Sequence, residues 1–123
     1  MSKLEASLEQ RFVTLCTEHG WKALKFETPT ESGWMDRIVL GRRRGHMFWC
    51  ELKRAGKPLE RLQEQRAIEA KQRGFRVYKV DNETELQRMF QLECLHSTRL
   101  SAASNAVRTE PARRGAAAAA RTR

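Results

Sequence analysis

Trp34-Met35-Asp36-Arg37-Ile38-Val39-Leu40, Gly41-Arg42-Arg43-Arg44-Gly45 and His46-Met47-Phe48-Trp49-Cys50-Glu51-Leu52-Lys53 together form the stretch that decides the fold. Two apolar runs joined by a basic turn with glycine at each end read as a β-hairpin. Side chains alternate along a strand, so Phe48, Cys50 and Leu52 share one face while Trp49, Glu51 and Lys53 share the other. A carboxylate and an ammonium on a strand otherwise fit for a core are costly unless they are paired or used. Taken alone, they read better as an ordinary cross-strand ion pair on a solvated sheet face. Asp36 shifts that balance, because a turn centred near Arg43 places it opposite Glu51. Two carboxylates a few ångströms apart repel, and one takes up a proton unless a cation lies between them. Hard oxygen donors of this kind suit Mg²⁺ or Mn²⁺.

Outward from the hairpin, the pattern is mixed. Ser2 and Glu5 make a capping box, followed by Leu4, Leu8, Phe12, Leu15 and Cys16 at helical spacing, with Gly20 as the stop. Residues 21–26 form a short candidate strand. Pro58 is expected at the first position of a helix that continues from Leu59 to Arg73 and ends at Gly74. Residues 75–80 alternate as a strand should, and Asn82 with Glu85 caps a last helix expected to reach about Glu93. The order α-β-β-β-α-β-α predicts an α/β fold with a mixed sheet flanked by helices. On the middle helix, Leu59, Gln63, Ala67 and Ala70 fall on one stripe, whose small alanines let the helix lie close on the sheet with Gln63 pointing toward it. Glu9 adjoins the apolar stripe of the first helix without belonging to it.

The chain has 123 residues and a net charge of +9, enough for one domain and basic enough to favour a polyanionic partner, nucleic acid first. No window approaches the ~18 uninterrupted apolar residues of a membrane span. Glu5 and Glu9 stand where a secretory signal needs an apolar run, so a cytoplasmic setting is expected. Cys16, Cys50 and Cys94 lie among apolar residues without metal-site spacing and read as reduced, buried hydrophobes. His19, His46 and His96 show no ligand spacing, and Trp21, Trp34 and Trp49 read as packing residues. Residues 1–95 carry 18 Lys and Arg against 14 Asp and Glu, whereas residues 96–123 carry six Arg against Glu110 alone. The second segment, rich in Arg, Ala and Ser, is expected to be a disordered tail beyond a domain of residues 1–95.

An Asp on one strand and Glu-X-Lys on the next resembles the signature of the PD-(D/E)XK nucleases. The wider pattern resembles one branch of them, the VRR-NUC (virus-type replication-repair nuclease) domain. The matching residues are Gly33-Trp34-Met35-Asp36-Arg37, Glu51-Leu52-Lys53, Gly56-Lys57-Pro58, Gln63 twelve positions after the Glu, Glu9 in the first helix, and Gly74 before the strand of residues 75–80. Met35 stands where that family usually has a proline. The resemblance covers about residues 5–90. It implies a restriction-endonuclease-like core in which Asp36, Glu51 and the Leu52 carbonyl, with Glu9 as a further candidate, hold one or two Mg²⁺ or Mn²⁺ ions. Lys53 and Gln63 would serve catalysis, and Arg37, Arg42, Arg43, Arg44, Arg54 and Lys57 would contact DNA phosphates. The implied activity is phosphodiester hydrolysis of DNA, leaving a 5′-phosphate and a 3′-hydroxyl. The substrates implied are branched or four-way-junction DNA in replication, repair or recombination, cut by a homodimer. A binding module that keeps the fold without turnover is the alternative, against which the acidic pair argues, since acids facing a polyanion weaken binding.

Overall fold

The computed structural model describes residues 3–108, with side chains described for residues 6–103. The elements run α1 (Lys3–Glu18), β1 (Lys22–Lys25), β2 (Arg37–Leu40), β3 (Met47–Leu52), α2 (Arg61–Gln72), β4 (Val77–Val80) and α3 (Glu83–Arg108). The order is the expected one, and the four strands form one mixed sheet, β1-β2-β3-β4. β1, β2 and β3 make an antiparallel meander, and β4 adds parallel to β3 after the α2 crossover. Among the described residues no helix is long and apolar enough to cross a membrane.

The alternation along β3 sorts the two faces of the sheet. Phe48, Cys50 and Leu52 join Val39 and Val80 in a core closed by Leu8, Phe12, Leu15 and Cys16 of α1 and by Leu86, Met89 and Phe90 of α3. Trp21 belongs to the same core, its ring 5.3 Å from Phe90 and nearly parallel to it. α2 covers the other face, pressing buried Ala67 and Ala70 toward the sheet. The hairpin turn needs its first glycine, because a Cβ at Gly41 would fall 1.8 Å from the His46 ring.

Two boundaries differ from the sequence reading. Glu60, and not Pro58, precedes α2, so Pro58 and Leu59 belong to the approach. α3 runs on to Arg108, past the boundary drawn at residue 95, so residues 96–108 are helical instead of part of a disordered tail. No glycine or proline interrupts residues 84–107. Each added residue makes one local hydrogen bond at little cost once a helix is nucleated, whether or not it finds a core to pack against. Residues 109–123 of the expected tail lie outside the described residues.

α3 is pinned to the sheet by a charge. Glu93, with 0% exposure, accepts hydrogen bonds from Arg76 (2.7 and 3.0 Å) and the Tyr78 hydroxyl (2.5 Å), and lies 2.9 Å from His46 Nε2. Burial alone would raise its pKa, but the bonds from Arg76, Tyr78 and His46 hold it below the ordinary carboxylate value. Glu93→Ala strands those partners around an empty space. The expected loss is about 3–5 kcal/mol of stability in urea unfolding, and a change under about 1 kcal/mol would contradict this role.

Candidate active site

The β2–β3 register pairs Arg37 with Cys50 and Ile38 with Trp49. Continued by one residue it sets Asp36 opposite Glu51, and directly opposed residues project from the same face. The Asp36 backbone is held on both sides. Its carbonyl accepts from the Phe26 N–H (2.8 Å), and its N–H donates to Glu51 Oε1 (2.9 Å). Met35, 1% exposed, buries its side chain one residue earlier, so packing fixes the chain's entry into β2.

Glu51 is the hub. Its residue exposure is 6%, as is that of Lys53 two positions on, whose ammonium lies 3.5 Å from Glu51 Oε2. Gln63 Nε2 donates to the same oxygen at 3.1 Å. The other end of that amide is also engaged, since Gln63 Oε1 accepts from the Glu60 N–H (3.0 Å) at the start of α2. Gln63 is therefore oriented from both ends and points toward the sheet, on the same stripe of α2 as Ala67 and Ala70.

Asp36 lies at the exposed rim of this cluster. Burial of its inner side is the largest cause that pushes its pKa up to about 6, followed by the adjacent Glu51 charge, with Arg37 opposing. Asp36 thus sits where its anion is disfavoured. Leu52 adds a third oxygen. The Lys53 N–H bonds the Val80 carbonyl of β4, and in a planar trans peptide the preceding C=O points the opposite way. The Leu52 carbonyl is therefore directed toward the β2 side, where Asp36 stands. Among the described residues no three His, Cys, Asp or Glu side chains form a ready metal site. Two carboxylates and one carbonyl suit Mg²⁺ or Mn²⁺, which retain waters in their remaining positions. The donor set and the disfavoured Asp36 anion both fit such an ion.

Glu9 and Arg37 depart from expectation. Arg37 is 6% exposed, with its guanidinium 5.9 Å from the Phe12 ring and paired with Glu9. It shares the α1 face with its partner Cys50, so it bridges sheet and helix and is not placed to meet DNA phosphates. Glu9 is close enough to Asp36 to contribute to its raised pKa, but its carboxylate is engaged by Arg37 at the margin of the cluster. Arg54 is exposed and Lys57 half-buried just beyond Lys53. Arg42, Arg43 and Arg44 are exposed at the hairpin tip, at the opposite end of β2 and β3 from the acids.

Sequence reasoning missed the clamp that carries Asp36 into place. Arg66 of α2 donates to the Ser32 carbonyl (3.2 Å) and lies 5.3 Å from the Trp34 ring, which in turn packs 5.9 Å from Trp49. Gly33, at φ +88°, passes so close to Leu62 that a Cβ there would come within 2.5 Å of it. Gly33 and Trp34 were visible in the sequence, but nothing local pointed to Arg66 as their partner.

The chain superimposes on a solved structure described as a VRR_NUC domain, with a TM-score of 0.68 and 18% sequence identity, over 73% of this chain and 97% of that one. No family model matches the sequence, and no curated protein matches it.

The Asp36 pKa has a consequence for stability. The unfolded chain releases this proton near pH 3.8, the folded chain near 6. Between those values the native state binds more protons, so this group lowers stability as pH rises from about 4 to about 6, and the loss persists above. In metal-free buffer Asp36→Asn is expected to raise Tm at pH 7.5 and flatten that pH dependence. A variant less stable than wild type at pH 7.5 would contradict the assignment. The four-stranded sheet between α2 on one face and α1 with α3 on the other is the fold of a VRR_NUC domain.

Proposed function

We propose that this chain is a Mg²⁺- or Mn²⁺-dependent deoxyribonuclease, an endonuclease selective for branched or four-way-junction DNA in replication, repair or recombination. The observation that carries the reading is the convergence of Asp36, Glu51, Lys53 and Gln63 at one end of the β2–β3 pair. The VRR_NUC likeness supports a nuclease-type domain on the same fold. Its core is the segment of residues 1–95, to which the continuation of α3 is appended.

Asp36, Glu51 and the Leu52 carbonyl would hold the ion, with Glu9 available beside them once released from Arg37. A divalent ion there supplies Lewis-acid polarisation of the scissile phosphate and a more acidic water. Lys53 gives a compact positive charge beside that phosphate and offsets negative charge as it develops. It also lines a cleft of about 290 Å³ with Ser7, Arg11, Arg54, Asp81 and Glu83. Gln63 keeps Glu51 in one rotamer, so that its second oxygen stays on Asp36. Arg54 and Lys57 contact flanking phosphates. A reducing, cytoplasmic setting agrees with three free cysteines, and a homodimer would supply the second cut a four-way junction requires.

A non-catalytic binding module is the second reading. A labelled junction and a linear duplex incubated with Mn²⁺ or Mg²⁺, then with EDTA, separate the two. Cleavage that EDTA abolishes is expected. Asp36→Ala, Glu51→Ala and Lys53→Ala should each lower its rate by at least ~10²-fold while DNA binding persists. Gln63→Ala, which frees Glu51 without removing it, should cost about 10- to 100-fold. Binding without cutting on any DNA shape in either metal would favour the module.

A further inference from the structure

The hairpin tip and α3 enclose a cleft of about 430 Å³ lined by His19, Trp21, Arg42, Arg43, Ser97 and Thr98. It lies at the end of the sheet away from the acidic cluster. Arg42 and Arg43 are exposed, and neither pairs with a carboxylate among the described residues. Arg42 is seated: its methylenes cross the bare backbone of Gly20, where a Cβ would come within 2.7 Å of Arg42 Cδ. Packed side chains form the walls. The His19 ring packs 4.9 Å from Trp21 and 5.1 Å from Phe90, and its Nδ1 donates to the Leu15 carbonyl (2.7 Å). The opposite wall is the stretch of α3 that buried Glu93 anchors. The Thr98 hydroxyl is spent on its own helix, on the Cys94 carbonyl, and Ser97 lines the cleft with the two arginines.

We infer that this cleft is a second phosphate-binding site, which grips the DNA backbone at a distance from the cleavage centre. Two guanidiniums and a hydroxyl over a shaped wall match a phosphodiester oxygen set, and the fork geometry of arginine suits it better than a diffuse charge. From Asp36 to Gly41, just past the end of β2, the chain advances five residues, about 17 Å at ~3.3 Å each, before the turn that carries Arg42 and Arg43. At ~3.4 Å per nucleotide of a duplex strand the two contacts lie about five nucleotides apart, so the second site fixes where along an arm the first one cuts. Arg44, on the same tip but outside the cleft, adds general positive charge alone. This inference rests on DNA being the partner, as proposed above.

The test uses the full chain, a fluorescent 16-base-pair duplex, EDTA and a salt series. Arg42→Ala/Arg43→Ala is expected to weaken binding about 10-fold and to lower the slope of log affinity against log salt by about 2. Ser97→Asp, which removes no basic residue but places a carboxylate in the cleft, should weaken binding comparably. Arg44→Ala should weaken it by less than about 3-fold. Ser97→Asp binding like wild type, or Arg44→Ala losing as much as the double variant, would overturn the site. Cleavage by the wild type with Mn²⁺ is scored in parallel. If the variants weaken binding as expected but the wild type cuts nothing, the nuclease reading fails and this site stands. If cutting is intact and the variants bind normally, the reverse holds.

Discussion

Asp36 faces Glu51 because the antiparallel pairing of β2 with β3 keeps one register from the tip of the hairpin to its open end. A slip of one residue would send Asp36 to the α1 face, since successive side chains point to opposite sides of a sheet. The register is guarded by features far from the acids. Gly41 leaves room for the His46 ring, and His46 is tied to Glu93, which pins α3. Val39 opposite Phe48 fills the centre of the core. Packing on one face of the sheet thus holds two like charges together on the other, an arrangement that electrostatics alone would disperse.

The acidic pair shows that cost directly. Asp36 binds its proton more tightly than an ordinary aspartate, because burial and the Glu51 charge disfavour its anion. Lys53 and Gln63 both act on Glu51 Oε2, leaving Asp36 without a cation of its own beyond Arg37 on the other face. A divalent ion held there, as proposed above, would relieve that repulsion. α2 serves the cluster twice. It presents Gln63 to Glu51, and through Arg66 and Leu62 it holds the loop that delivers Asp36.

Much of this was legible in the chain because the signals were local. Alternation in residues 46–53, the glycine-bounded turn and the helical stripe ending in Ala67 and Ala70 each depend on neighbours in sequence. The expected opposition of Asp36 and Glu51 followed from counting across one short turn. What escaped depended on distant partners. Arg37 reads as a basic residue beside an acid, yet Glu9, twenty-eight positions away, and the Phe12 ring draw it into the interior. His46 carried no chemical signal until folding set it against Glu93. The length of α3 was underestimated because poor core-forming composition was read as disorder, although a helix already nucleated continues on local hydrogen bonds.

The central claim is that Asp36, Glu51 and the Leu52 carbonyl capture one divalent ion. Paramagnetic broadening of amide NMR signals by substoichiometric Mn²⁺ tests it most directly. The account predicts that the amides of residues 36, 51–53 and 63 broaden first, that the arginines at residues 42–44 stay sharp, and that Glu51→Gln removes the effect. Broadening that is uniform over the surface, or centred elsewhere and unchanged by Glu51→Gln, would contradict it.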